Sequence, residues 1–143
     1  MSWEYNFIDH TADIAVEVRG NTIEELFIAS AFAWQESVIE KNEIKISDIK
    51  EINVNELSYE ELLVRFLDEL NFLFLTGKWI MLEINKIEIH SENDNLKLKA
   101  ILRGENYNDK KHQLKIEIKA VTFHQMEIKK INNVFTTRII FDI

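Results

Sequence analysis

The chain has no cysteine and no proline, and only three glycines in 143 residues. Without cysteine it can form no disulfide, no zinc–thiolate site and no thiol nucleophile, so a bound metal would rest on oxygen or imidazole donors. Missing proline and scarce glycine argue against linkers and low-complexity tails. They also remove the glycine-rich loops that cradle phosphates, and there is no serine-nucleophile motif. No apolar run approaches the roughly eighteen residues of a membrane-spanning helix. The opening Met1-Ser2-Trp3-Glu4-Tyr5 has neither a basic segment nor an apolar signal region, so a cytoplasmic location is expected over secretion. Basic charge is also short, with 17 Lys and Arg against 25 Asp and Glu and a net charge of −8. No block of basic residues offsets it, and a phosphate backbone would repel such a surface. Tight binding to nucleic acid by this chain alone is disfavoured, and a role in RNA biology would run through a protein partner.

What is present suits one domain over residues 1–143, since 46% apolar content supports a sizeable core. Tyr5 to Ile8 reads as a short strand and Ile14 to Arg19 as a second, with Ile14, Val16 and Val18 on one face. Thr22-Ile23-Glu24-Glu25 is a capping box opening a helix to about Val38, whose buried face holds Ile23, Leu26, Phe27, Ser30, Ala31 and Trp34. Asn42 to Asn55 suggests one or two strands. A second capping box, Ser58-Tyr59-Glu60-Glu61, opens the most apolar helix, which Gly77 stops by taking the left-handed conformation. From Trp79 onward the period is two. Strands are expected near Ile80–His90, Leu96–Arg103, Leu114–Phe123, Gln125–Ile131 and Val134–Ile143, with hairpin turns at Asn93-Asp94-Asn95 and Asn132-Asn133. This order predicts an α+β fold with two helices packed on a mainly antiparallel sheet.

The chemistry-bearing residues concentrate in two places. Phe7-Ile8-Asp9-His10-Thr11-Ala12-Asp13-Ile14 packs two acids, a histidine and a threonine between apolar flanks. Asp9 and Asp13 either cap a turn or ligate a hard cation such as magnesium, calcium or manganese, which prefers oxygen donors. The second place is Asp142-Ile143, which follows Ile139-Ile140-Phe141, a run apolar at both parities and expected to be buried on both faces. A carboxylate there is costly unless paired or metal-bound, and the terminal carboxylate of Ile143 adds a second negative group; the alternative is that these residues fray into water. Lys119 shares the solvent face of Lys115 and Glu117, but the next residue on that face is Val121. It is either partly desolvated where an exposed face becomes covered or an ordinary surface lysine paired with an acid. His10, His90, His112 and His124 show no metal-type pair spacing, which favours structural hydrogen bonding for each.

Several of these segments, taken in order, resemble the archease family. They are Phe7–Ile14, then Gly20 with the helix from Glu24 to Trp34, then Glu61–Leu70, His112-Gln113-Leu114, Ile118–His124 and the terminal Phe141-Asp142-Ile143. The resemblance covers essentially the whole chain. It implies a strand–helix–strand–strand (SHS2-like) module carrying a further helix and strands. It also implies a non-enzymatic accessory role with the GTP- and manganese-dependent RNA-splicing ligase of tRNA splicing, promoting guanylylation and multiple turnover and broadening nucleotide use. An older suggestion for the family is a chaperone-like modulator of tRNA methylation. By position, the family's metal ligands fall on Asp13, Asp142 and Ile143, with calcium foremost and magnesium or manganese as alternatives. The functionally important lysine falls on Lys119, and Phe123 stands where the family commonly has tyrosine.

The resulting expectation is one patch made of the metal site and Lys119, with Asp9 and His10 also facing the partner or its nucleotide. Two rivals remain: a small metal-dependent phosphohydrolase or nuclease, for which the acidic cluster is thin, and a pure interaction module with a structural metal.

Overall fold

Both helices begin where capping chemistry puts them. The computed structural model describes residues 2–8, 13–40, 46–109, 112–123 and 126–143. Helix α1 (Ile23–Val38) starts on a complete capping box, with Glu25 N–H donating to Thr22 Oγ1 (3.1 Å) and Thr22 N–H donating to Glu25 Oε1 (3.0 Å). Helix α2 (Tyr59–Leu75) starts at Ser58, whose Oγ accepts from Glu61 N–H (3.1 Å) and whose hydroxyl donates to the Glu61 carboxylate (3.1 Å). At the end of α2 the expected roles are exchanged: the left-handed residue is Lys78 (φ 52°), and no glycine has positive φ. Gly77 is needed for a different reason, because a Cβ there would sit 2.6 Å from the Leu73 carbonyl oxygen.

Ten strands are described, and every registered pairing is antiparallel. The larger sheet holds β1 (Trp3–Ile8), β2 (Ile14–Gly20), β10 (Val134–Asp142) and β8 (Ala120–Thr122) in that spatial order, with β9 (Lys129–Ile131) also on β10. A second sheet runs β4 (Asp48–Glu56), β6 (Asn95–Asn106), β5 (Trp79–Glu92), and β3 (Ile39–Glu40) pairs β7 (Gln113–Leu114) as a small ribbon. The two tight hairpins turn on Asn93-Asp94 (φ 51° and 64°) and Asn132-Asn133 (φ 52° and 64°), residues that tolerate the left-handed region. Asn95 is already in register with Glu92, so it belongs to the strand and not to the turn.

Helix α1 is buried almost all round, including Ala29, Ala33, Gln35, Ser37 and Val38 beyond its expected face, because it lies against strands of both main sheets. Its buried polar groups are answered locally. The Ser30 and Ser37 hydroxyls donate to carbonyls one turn back (2.8 Å each). Gln35 Nε2 donates to Met81 O (2.8 Å) and Leu82 O (3.2 Å), where a register shift interrupts the β5–β6 ladder. One continuous core joins α1 and α2 to both sheets through Phe27, Trp34, Phe66, Leu67, Trp79 and Phe141.

Three strand expectations change. Leu114–Phe123 is not one strand: β7 and β8 are separate, and the strap from Lys115 to Lys119 crosses between two sheets without a ladder partner of its own. Its alternation is real, with Ile118 buried and Lys115, Glu117 and Lys119 exposed, but the alternation reports burial and not pairing. The last strap-like expectation, Gln125–Ile131, shortens to Lys129–Ile131, Gln125 lying outside the described residues. Between Asn42 and Asn55 the described strand is β4, beginning at Asp48, and residues 41–45 lie outside the description.

Candidate functional site

Strand β10 brings the two acidic places to the same edge. In the β2–β10 ladder the last registered pair is Phe141 opposite Ile14, so Asp142 and Asp13 are the next residues on adjacent strands, which run about 4.8 Å apart. On the other side of β10, Asp142 is opposite Ala120, and Lys119 N–H donates to Asp142 O (2.7 Å). Asp13, Asp142, Ile143 and Lys119 therefore meet at one end of three neighbouring strands. Asp9 and His10 lie outside the described residues.

Exposure differs from what the apolar run implied. Ile139 and Phe141 are fully buried, whereas Ile140 is only half-buried and Asp142, on Ile140's face, is exposed. The strand is central, as expected, but helices cover only one of its faces, so the desolvation reason for a cation at Asp142 lapses. Proximity of negative charges remains. Asp13 and Ile143 are half-buried and Lys119 is exposed, while Val121 beside it is buried, as its place in the pattern suggests. Among the described residues neither the Asp142 carboxylate nor the Lys119 ammonium enters an ion pair.

The donor chemistry at this edge is all oxygen, two side-chain carboxylates and the main-chain oxygen of Ile143, which fits a hard divalent cation. Among the described residues no three His, Cys, Asp or Glu side chains converge to hold a metal, so a shell here would need the main-chain oxygens. Asp13 also lines a cleft of about 480 Å³ with Phe7, Ile14, Glu36, Lys115 and Ile116. Of its lining residues, Lys115 Nζ donates to the Glu36 carbonyl (2.9 Å), and Glu36 Oε1 accepts from the Tyr5 hydroxyl (3.2 Å). Burial, then the charge and hydrogen bond of Glu36, push the Tyr5 phenol above its ordinary range.

A larger cleft of about 680 Å³ is lined by Ser47, Lys78, Glu105, Tyr107, Asn108 and Asp109, and by none of the residues singled out from the sequence. Both clefts carry charged groups, Lys78, Glu105 and Asp109 at the larger and Asp13, Glu36 and Lys115 at the smaller, but only the smaller one includes a residue of the acidic edge. Next to the larger one is a pair that sequence reading passed over. His112 Nε2 lies 2.6 Å from Glu105 Oε1, both residues being buried, and Asn108 N–H donates to His112 Nδ1 (2.9 Å). With Nδ1 accepting, the Nε2 proton goes to Glu105, and the ring stacks on Tyr107 at 5.6 Å. This is the structural histidine that the lack of pair spacing suggested, anchoring the chain just before the strap.

The strap is held by a main-chain carbonyl of α1 and by side chains of α2. Lys115 N–H donates to Val38 O at the end of α1 (2.7 Å), and Asn71 Nδ2 on α2 donates to Ile118 O (2.8 Å). Asp68, on the same helix, accepts from the Val121 main chain. Although the Asp68 side chain reaches solvent, the protein packed behind its carboxyl raises its pKa more than that bond lowers it. Asn71 was legible as an anomaly, an amide in the apolar stripe of Leu67, Leu70 and Phe74, but its partners were not.

Comparison with known proteins covers the whole chain. The model of the Archease protein family (MTH1598/TM1083) matches residues 5–143. The protein archease of Methanosarcina acetivorans is 31% identical over 140 residues, covering 98% of this chain and 96% of that one. The solution structure of Methanobacterium thermoautotrophicum protein 1598 superposes with a TM-score of 0.82 at 29% identity, covering 99% of both chains. The crystal structure of a Thermotoga maritima archease, described as a possible chaperone, superposes with a TM-score of 0.66 at 27% identity over 95% of this chain and 94% of that one.

Proposed function

The chain belongs to the archease protein family, and from that premise we propose that it is a non-enzymatic activator of the GTP- and manganese-dependent RNA-splicing ligase of tRNA splicing. In this reading it promotes ligase guanylylation and multiple turnover through the acidic strand ends and Lys119. The observation that carries the reading is the register that sets Asp142 between Asp13's strand and the Lys119 peptide, so that opposite ends of the sequence build one surface. Net charge of −8 supports a protein partner over bare RNA.

A divalent cation, calcium foremost with magnesium or manganese as alternatives, would be held by oxygens of Asp13, Asp142 and Ile143 and would supply positive charge at the strand ends. The residues of the chain do the remainder. Asp13 and Asp142 keep the edge acidic and oriented by the ladder behind them. Lys119, exposed and anchored by its own main chain, offers a mobile ammonium to phosphate or carboxylate groups of the partner's nucleotide pocket. Asp9 and His10 are read as facing the same partner.

The test is guanylylation of the cognate ligase with and without this protein. Asp13→Ala and Lys119→Ala are each expected to abolish stimulation while leaving the thermal midpoint within a few degrees of the parent's. Normal stimulation by both variants would sink the patch. Appending residues after Ile143 converts its carboxylate to an amide and should weaken calcium binding, read as a lost calcium-dependent rise in thermal midpoint. A second reading, chaperone-like modulation of tRNA methylation or an interaction module stapled by a structural metal, draws on the Thermotoga relative's description as a possible chaperone. It predicts that chelation lowers stability but leaves stimulation intact.

A further inference from the structure

The peptide unit joining Ile118 to Lys119 lies in the strap, outside the regular strands, yet both of its polar groups are held. Its N–H donates to Asp142 O (2.7 Å), and its carbonyl accepts from Asn71 Nδ2 (2.8 Å). Asn71 is 6% exposed, and its Oδ1 accepts from the indole Nε1 of Trp34 (3.0 Å), itself fully buried on α1. An indole nitrogen can only donate, so this bond decides which end of the carboxamide faces Trp34 and leaves the NH₂ for Ile118. A buried amide is unfavourable unless both ends are bonded, and here both are. A leucine would fill the same place on α2 with no such requirement. The amide adds what a leucine cannot, a fixed direction for one carbonyl.

We propose that Asn71 is a positioning residue for Lys119: the relay from Trp34 through Asn71 sets the plane of the Ile118–Lys119 peptide, and with it the direction in which the lysine leaves the chain beside the acidic strand ends. The inference rests on the reading that Lys119 works toward the partner. Asn71 reaches no partner itself and acts only through that peptide. Ile118, buried at 1% exposure, keeps the residue anchored, so loss of the amide frees the peptide plane to rotate and not the whole strap.

The experiment is Asn71→Leu in the full chain, with ligase guanylylation and amide hydrogen exchange at Lys119 and Ile139 measured together. The expected result is faster exchange at Lys119 by about tenfold or more, the scale of one lost buried hydrogen bond, with Ile139 unchanged. Stimulation should fall toward that of Lys119→Ala, and the double variant should be no worse than Lys119→Ala alone. Normal stimulation by Asn71→Leu where Lys119→Ala has lost it overturns the positioning role and leaves the patch standing. Normal stimulation by Lys119→Ala instead removes the lysine from the patch and the positioning role with it, and the Lys119 exchange rate still decides whether Asn71 holds the peptide. A parallel rise at Ile139 makes Asn71 a packing residue only. If Asn71→Leu does not fold, Trp34→Phe removes the indole donor while keeping a ring, and an unchanged Lys119 exchange rate in that variant refutes the relay.

Discussion

Strand β6 and the segment from Leu114 to Phe123 carry nearly the same alternating sequence, Leu96-Lys97-Leu98-Lys99-Ala100-Ile101-Leu102-Arg103 against Leu114-Lys115-Ile116-Glu117-Ile118-Lys119-Ala120-Val121. The first is a long strand paired on both sides, by β4 and by β5. The second is a strand only at its tips, and its middle is held by a helix end, a buried asparagine and one carbonyl of β10. Alternation records which side chains go inward. Whether a ladder forms depends on a neighbour with free main-chain groups at the right height, and that belongs to the topology. The consequence is functional as well as architectural: the residue proposed to meet a partner sits where the main chain is secured by single bonds to a β10 carbonyl and a buried asparagine, not by a continuous ladder.

The comparison can be broken or sharpened at several points. The largest effect should come from Trp79→Ala beside the β6 ladder, since Trp79 is 1% exposed and the ring lies 2.8 Å from where a Gly104 Cβ would be. A loss of about 3–5 kcal/mol is expected, read from the urea midpoint, and a loss near zero would mean the second sheet is not coupled to global unfolding. Ile118→Ala in the strap should cost less, about 2–4 kcal/mol for a buried isoleucine, and should reduce stimulation as well. An equal or larger loss than Trp79→Ala would place the strap inside the same cooperative unit as the ladder.

Native-state hydrogen exchange should separate the two segments next, with the Lys115–Lys119 amides less protected than those of Leu98 and Ala100. Equal protection would erase the distinction. The smallest effect concerns Asp68, whose folded pKa is raised by burial. Its carboxyl then holds a proton more tightly in the folded state than in the unfolded state. That contribution to stability is present below the ordinary aspartate value and is lost as pH rises through the raised folded value. Asp68→Asn should flatten this part of the stability–pH curve, and an unchanged acid slope would assign it to other carboxyls.

Much of this was legible because some signals are local. Thr22 with Glu25 and Ser58 with Glu61 mark helix starts through bonds made within one turn. Asn93-Asp94 and Asn132-Asn133 mark hairpins through their own φ preferences. The pairing of Asp13 with Asp142 was expected from the family resemblance, and the register of β2 with β10 makes them the next residues on adjacent strands. The exposure of Asp142 was not legible, because a run apolar at both parities looks the same whether the second face is covered or only half-covered. Gly77 misled for a related reason. Glycine serves both left-handed turns and close approaches, and only the Leu73 carbonyl beneath it tells which. The role of Asn71 depends on partners distant in sequence, Trp34 and Ile118, and that of Glu105 on His112 across a loop, and no spacing rule announces such pairs.

The β2–β10 ladder also governs the order of assembly. Phe141 finds Ile14 only after nearly all of the intervening chain has been looped out, whereas Glu92 meets Asn95 across a two-residue turn. Closing the long loop loses entropy before any of its bonds form. Refolding should therefore protect the β5–β6 amides first and the acidic edge last, and the surface offered to a partner should mature only as the slowest pairing completes.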